Sequence, residues 1–564
     1  MSRTPEADRK TIIVVGGVAA GASAAAKARR EDEGAEIIVF ERGEHVSFAN
    51  CGLPYFVGDE IKRRGALLLQ TPASLKSRFN LDVLTRHEVT EIRPEARQVV
   101  ARDLRTGAEV VRTYDRLILA TGSRPVVPPL EGIGSRNVKL LRTVPEAEEL
   151  KEMVGGGARR AVVVGAGFIG LEAAENLARR GLAVTVVEKA AQVLPPFDPE
   201  MVVPVEESLR AMGVELVIGR GIAGFETNGD VAVGVRLDGG GTIAADFFVL
   251  SIGARPDVEL AKKAGVAIGP SGGIAVNERL ETSVPGIYAA GDAVEVRHLV
   301  SGRPAWIPLA GPANKQGRVA GANAAGGSLT FKGAYGTSIV RVGKVAAAKT
   351  GLGEAECLRA GFDYTVTYNH HGDHAGYYPG AEELTIKIIS ERGTGRLLGA
   401  QVVGGRGVDK RADVLATAIY GGLTVEDLEQ LDLAYAPPFG AAKDPVIMAG
   451  MTTANIFRGQ VVAVTPAEVA RLIEAGRSPG PQVVDVRDPR EWREGTIPGA
   501  VGLPLPELRE RLGELDPARE TIVYCRGGQR SYFAYRVLRQ SGFRDVKNLT
   551  GGFLSWTAFQ KSRP

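Results

Sequence analysis

Short apolar runs separated by glycine turns and alanine-rich stretches dominate the first half of the chain. This pattern belongs to strands covered by helices on both faces. Residues 11 to 15 (TIIVV) predict a strand entering Gly16-Gly17-Val18-Ala19-Ala20-Gly21, and an alanine-rich helix through Arg30 follows. A second apolar strand, Glu36 to Phe40, ends at the acidic Glu41. The pattern then recurs as Ala161 to Val164, Gly165-Ala166-Gly167-Phe168-Ile169-Gly170, a helix through Arg180, and a strand from Ala183 to Val187 ending at Glu188. Two strand–turn–helix–strand units predict two Rossmann-like dinucleotide-binding domains in one α/β chain.

Between Thr282 and Ala293, TSVPGIYAAGDA reads as a turn, a strand and a tight Gly-Asp corner that closes the nucleotide-binding half. From about residue 330 the pattern changes. Alternating apolar strands (Ser338 to Ala348, Glu383 to Ile389, Leu397 to Val403) and helices predict a separate α+β domain. After a mixed segment, residues 461–564 read as a small α/β domain: strands at Gln482 to Val486 and Thr521 to Tyr524, a glycine-rich loop, and a helix from Ser531 to Ser541. The expected organisation is therefore 1–150 with 256–329, an inserted 151–255, then 330–450, a linker at 451–460, and 461–564.

Composition narrows the function. With 69 Lys and Arg against 66 Asp and Glu, the chain offers no polyelectrolyte surface for nucleic acid and no basic membrane patch. Three cysteines, Cys51, Cys357 and Cys525, are too scattered for a disulfide framework and fit a reducing cytoplasm. The first ten residues lack a secretion signal, and no apolar run approaches the roughly 20 residues that span a bilayer.

A glycine turn between strand and helix lets backbone approach a pyrophosphate, and the helix N-terminus turns unpaired N–H groups toward it. Two such turns, each followed by a strand-terminal acid at ribose-binding distance, predict two bound dinucleotides. On these motifs the chain resembles the flavoprotein pyridine-nucleotide disulfide reductases. The resemblance implies FAD on the first unit, held by Gly16, Gly21, Glu41 and Arg42, with Val18 standing where a middle glycine is usual. It implies that Ala120, Thr121 and Gly122 line the domain crossover and that Asp292 meets the flavin's ribityl and pyrophosphate region. Gly165, Gly167, Gly170 and Glu188 would hold the nicotinamide dinucleotide. An acid at 188 favours NADH by accepting from a free 2′-hydroxyl, while Lys189 beside it leaves NADPH open.

Cys51 lies in Ser47-Phe48-Ala49-Asn50-Cys51-Gly52-Leu53-Pro54-Tyr55. Two-cysteine reductases have a partner thiol five positions earlier; here that position is Val46, so one protein sulfur must work with a substrate sulfur or an oxygen. Three readings follow: a peroxidase or oxidase through a sulfenic acid, a coenzyme A disulfide reductase through a mixed disulfide, or a persulfide reductase. The motif resembles coenzyme A disulfide reductases, as do Tyr435-Ala436-Pro437-Pro438-Phe439 and Lys443-Asp444-Pro445. Peroxidase-like relatives carry a histidine where Ala19 and Ala20 stand, which counts against peroxide. The resemblance further implies that Ser47 and Asn50 contact coenzyme A, that Arg30 meets its phosphate, and that the chain is a homodimer. In that dimer Tyr435, with Tyr377 or Tyr378, would reach the leaving thiolate from the partner subunit.

Near the C-terminus, Cys525-Arg526-Gly527-Gly528-Gln529-Arg530-Ser531 links a strand to a helix. Successive N–H groups of such a loop form an anion nest, and two guanidinium groups add positive charge, so a thiolate or persulfide would be stabilised. With Asp485-Val486-Arg487, Glu491-Trp492, Gly495-Thr496-Ile497-Pro498-Gly499-Ala500 and Gly551-Gly552-Phe553, this tail resembles single rhodanese domains. Gly527 stands where rhodanese loops often carry Ser or Thr, which removes one hydroxyl donor. A sulfur carrier fused to a single-cysteine reductase shifts the expected substrate toward coenzyme A persulfide or polysulfide. Plain coenzyme A disulfide reduction, and a non-catalytic redox-sensing sulfur donor, are the alternatives. Cys357 is expected to be inert. His370, His371 and His374 are expected in a solvated or interface loop rather than on a metal, because no cysteine is near.

Overall fold

The structure is a computed structural model describing residues 9–476 and 479–563. It divides into two compact units, Met1–Lys189 with Met212–Gly336, and Ala190–Ala211 with Thr337–Pro564.

The first unit holds two parallel five-stranded sheets. One runs in the order Ile287–Ala289, Arg116–Leu119, Thr11–Val15, Glu36–Glu41, Asp82–Thr85. Its central strand is sealed on both faces: Ile12, Ile13 and Val14 have no exposure, which is why the sequence there is continuously apolar rather than alternating. The helix Ala19–Glu31 packs on Ala310–Ala324 at close range. A Cβ on Gly317 would lie 2.2 Å from the carbonyl oxygen of Ala20, and one on Gly321 would lie 2.1 Å from that of Ala24. Only glycine permits that approach, one turn apart.

The second sheet runs Glu215–Ile218, Ala183–Glu188, Arg160–Val164, Phe247–Leu250, Val138–Lys139, again all parallel. Separate three-stranded antiparallel sheets accompany the parallel ones. The two glycine turns are built alike. Gly16 N–H donates to the Phe40 carbonyl and Gly165 N–H to the Val187 carbonyl, each at 2.8 Å.

In the second unit an antiparallel sheet runs Ser338–Val342, Val345–Gly351, Leu397–Gly404, Glu383–Glu391, Tyr364–Gly372. The strand expected from Ser338 to Ala348 is in fact a hairpin, because Gly343 takes φ +61° and reverses the chain. Residues 451–457, expected as linker, belong to the helix Pro445–Phe457. Asp444 caps it by accepting from Val446 N–H at 3.0 Å, and Arg411 holds the same carboxylate at 2.8 Å in a buried pair. The Lys-Asp-Pro motif is thus a helix start.

Lys387 in this unit has no exposure, and its Nζ lies 2.7 Å from Asp198, 2.5 Å from Glu200 and 2.6 Å from Glu354. Burial opposes its charge, but the carboxylates and the Tyr368 hydroxyl outweigh it and raise its pKa well above the ordinary value. These three carboxylates converge closely enough to hold a metal ion, and the ammonium is the cation among them.

The C-terminal sheet is parallel, in the order Ala463–Val464, Val546–Leu549, Thr521–Tyr524, Gln482–Asp485, Val501–Gly502. Among the described residues no helix is long and apolar enough to cross a membrane.

Candidate active sites

Sterics account for the outer glycines in both dinucleotide turns. Gly16 adopts φ +97° and a Cβ there would lie 2.2 Å from the Ala120 carbonyl oxygen; Gly165 adopts φ +101° and would meet that of Ser251 at 2.4 Å. A Cβ on Gly21 would stand 1.8 Å from the Gly16 carbonyl oxygen, and one on Gly170 2.0 Å from that of Gly165. Gly167 faces nothing within 4 Å, which leaves open approach at the N-cap of the helix Phe168–Arg179. Both strand-terminal acids accept from the turn they face. Glu41 takes Gly17 N–H and Gly43 N–H, each at 2.7 Å, and Glu188 takes Ala166 N–H at 2.7 Å.

At the crossover Thr121 donates to the Asp257 carbonyl at 2.6 Å, Arg42 pairs with Asp257 at 3.4 Å, and Gly122 turns at φ +71°. Asp292 accepts from Ser123 at 3.3 Å, while its carbonyl accepts from Trp306 Nε1 at 2.7 Å. Burial raises the Asp292 carboxyl pKa against the opposing pull of Arg142 and Ser123. Ser123, Arg142 and Trp306 carry no local motif and were not legible in the sequence.

Cys51 sits in the turn Asn50–Gly52 that leads into the helix Leu53–Val57. Its residue surface is exposed. The Asn50 carboxamide oxygen accepts Cys51 N–H at 3.2 Å and lies 3.8 Å from the sulfur. Partial desolvation of the sulfur raises the thiol pKa, and the negative charges of Glu172 and Asp292 add to it. Glu172 is itself pushed up to about 7, chiefly by burial, with Tyr55 hydrogen-bonded to it at 3.1 Å.

Four residues before Cys51, Ser47 takes φ +48°, a conformation uncommon outside glycine and asparagine that marks a shaped site. Ser47 and Arg30 line one cavity of about 360 Å³ together with Gln70, Phe79, Asn314 and Arg318. Asn314 and Arg318 lie almost 300 residues further along the chain, on the helix that packs against Ala19–Glu31. Distance in sequence hid them.

Tyr377 and Tyr435 meet through their hydroxyls at 2.8 Å, both exposed, and the bond raises the Tyr435 pKa. Tyr378 instead lies edge-on to the ring of His374, with centroids 5.7 Å apart. Of the three histidines expected in a solvated or interface loop, His374 lies in a bend after the strand and is buried. His370 and His371 end the strand Tyr364–Gly372. His370 bonds Thr385 at 2.9 Å and Ser555 at 2.8 Å, and burial first, then His371 and Arg526, lower its pKa to about 3. Cys357 is fully buried and its thiol is pushed up to about 12 by burial, Asp198, Glu356 and Glu354.

In the C-terminal loop, Gly528 at φ +102° aims its N–H at the Cys525 sulfur from 3.1 Å. Both guanidinium groups of the loop carry ion pairs, and Arg530 also interacts electrostatically with the Cys525 sulfur. Arg526 pairs with Glu383 at 2.7 Å, and Arg530 with Glu491 at 2.6 and 2.7 Å. Gln529 opens the helix Gln529–Gln540, and Gly527 packs beside His370. A Cβ on Gly552 would lie 2.3 Å from the Cys525 carbonyl oxygen, so the Gly-Gly-Phe turn is the floor of the loop. Asp485 and Arg487 form a buried pair capped by the Tyr524 hydroxyl at 2.7 Å, a structural role.

Two glycine turns of the same build, an exposed thiol and a second cysteine met by a backbone N–H define a class of nucleotide-dependent sulfur redox proteins. The chain belongs to the pyridine nucleotide-disulphide oxidoreductases, whose model matches residues 10–317. The family's dimerisation domain matches 337–445, and a rhodanese-like domain matches 465–559. An "NAD(P)H coenzyme A polysulfide/persulfide reductase" of Pyrococcus horikoshii is 36% identical over 78% of this chain and 97% of its own. The solved structure of reduced Bacillus anthracis CoADR-RHD superposes with TM-score 0.95 at 43% identity, covering 100% of both chains. An NAD-dependent persulfide reductase of A. fulgidus gives TM-score 0.89 at 40% identity, covering 97% of this chain and 100% of that one. The family uses FAD and NAD(P)H.

Proposed function

We propose that this chain reduces coenzyme A persulfide, polysulfide or coenzyme A disulfide with NAD(P)H through Cys51, with Cys525 carrying sulfane sulfur. One observation carries this reading. Cys51 is the sole cysteine of the unit that holds both dinucleotide cradles, and it is exposed. FAD, when bound, relays an electron pair from the nicotinamide to sulfur. Gly16, Gly21, Glu41, Arg42, Ala120, Thr121, Gly122 and Asp292 would hold FAD; Gly165, Gly167, Gly170 and Glu188 would hold the nicotinamide dinucleotide.

The Cys51 thiolate attacks the substrate's S–S bond and releases a thiolate or sulfide. Two-electron reduction of the resulting mixed disulfide or protein persulfide restores the Cys51 thiolate and releases a second thiolate or sulfide. Arg30 and Ser47, in their shared cavity, would bind coenzyme A with Arg318 as a second phosphate partner. Asn50, bonded to Cys51 N–H, would hold the nucleophile's backbone in position. The Tyr377–Tyr435 hydroxyl pair would supply the leaving thiolate with a proton from a second subunit. A homodimer in the cytoplasm is supported by the dimerisation-domain match and by three free cysteines.

Stopped-flow reduction by NADH and by NADPH, followed by reoxidation with coenzyme A disulfide, coenzyme A persulfide, polysulfide or peroxide, tests the proposal. The expected result is fast reoxidation by the coenzyme A compounds and slow reoxidation by peroxide. Fast reoxidation by peroxide alone overturns it.

A further inference from the structure

The sulfur of Cys525 has a second polar neighbour that the loop's glycines and arginines do not announce. Ser531 has no exposure, Cys525 only 2%, and the serine hydroxyl lies 3.5 Å from the sulfur. Both guanidinium groups of the loop are engaged by Glu383 and Glu491. Among the described residues the groups hydrogen-bonded to the sulfur are the Gly528 N–H and this hydroxyl, while Arg530 acts on it electrostatically.

We propose that Ser531 is a catalytic hydroxyl donor to the Cys525 sulfur, switching its single proton between the Gly528 carbonyl and that sulfur as charge develops there. The hydroxyl bonds the Gly528 carbonyl at 3.0 Å. That carbonyl also accepts from Tyr532 N–H at 3.1 Å and faces Asn548 Nδ2 at 3.5 Å. It keeps partners when the serine proton turns away, so rotation leaves no buried acceptor unsatisfied.

This inference rests on Cys525 being the sulfur carrier. Loading then runs as Cys525–S⁻ + R–S–SH → Cys525–S–SH + R–S⁻: the donor's S–S bond breaks and a new one forms at Cys525. In discharge the persulfide loses its proton to solvent, an acceptor nucleophile such as cyanide takes the outer sulfur, giving thiocyanate, and the S–S electron pair returns to the Cys525 sulfur. In both directions the full negative charge sits on that sulfur when the carrier is unloaded, where the hydroxyl and the Gly528 N–H meet it. The hydroxyl therefore stabilises the thiolate that attacks in loading and that departs in discharge.

The test uses the full-length holoenzyme and mass spectrometry of the Cys525 peptide. In S531A, alkylation of Cys525 by iodoacetamide at neutral pH is expected to slow about tenfold, as is cyanide discharge of the loaded protein, since a charge-assisted hydrogen bond is lost. S531T is expected to restore both rates. NADH-dependent coenzyme A disulfide turnover, which runs through Cys51, is expected to stay at the wild-type level and reports intact folding; S531G replaces S531A if the latter does not fold. Wild-type alkylation and discharge rates in S531A overturn the proposal. A wild-type protein whose Cys525 takes up no sulfur from an organic persulfide overturns the carrier reading instead, while the alkylation comparison still decides Ser531.

Discussion

Tyr55 donates its hydroxyl to Glu172 Oε1 across 3.1 Å, joining the helix that follows the reactive cysteine to the helix that follows the second glycine turn. Burial raises the Glu172 pKa from 4.5 to about 7, Tyr55 moderates the rise, and Glu175 adds to it. A folded-state pKa above the unfolded value means that the native state binds the extra proton. Stability therefore falls as pH climbs from 4.5 to 7 and is level above that. In E172Q this loss is expected to vanish, so the variant's melting temperature should exceed that of the wild type above pH 7 and approach it below pH 4.5. Parallel curves for the two proteins across that window would contradict the assignment.

Removing Cys51 separates hydride uptake from sulfur chemistry. In C51S, flavin reduction by NADH should persist while turnover of every sulfur substrate drops by on the order of 10³-fold or more. Anaerobic stopped-flow spectra and steady-state rates measure the two halves.

The charges of Glu172 and Asp292 oppose ionisation of Cys51. At pH 8, E172Q should therefore alkylate at Cys51 about three- to tenfold faster than wild type. Rates at or below wild type would show that Glu172 does not act on the thiol.

Lys387 is the cation of a buried cluster with Asp198, Glu200 and Glu354. K387M leaves three carboxylates uncompensated and should cost about 3–5 kcal/mol. Denaturant midpoints compared with K387M/E200Q measure it; the double variant is expected to recover part of the loss.

His370 bridges the strand Tyr364–Gly372 to Ser555 of the C-terminal domain while uncharged. Its pKa falls from 6.5 to about 3, so the unfolded chain binds the extra proton and native stability drops as pH falls from 6.5 toward 3. H370Q should flatten this acid limb and lower stability at pH 8 by about 1–3 kcal/mol through an imperfectly satisfied Thr385 or Ser555. Urea titrations at pH 8 and pH 5 supply the comparison.

Local rules made much of the architecture readable from the chain. A strand buried on both faces must be apolar throughout, and a turn where an added Cβ would fall about 2 Å from a neighbouring carbonyl oxygen admits only glycine. The strands at Thr11–Val15 and Arg160–Val164, their turns and their terminal acids therefore declared themselves, as did Cys51 and Cys525 in their motifs. Groups positioned by long-range packing did not. Arg318 reaches the Arg30 cavity only because glycines let two helices touch, and Glu383 reaches Arg526 from a strand more than a hundred residues earlier. Which side chain neutralises, desolvates or donates to a sulfur depends on distances of a few ångströms between segments remote in the chain. Periodicity and turn chemistry specify each segment's conformation; packing between segments decides who meets whom.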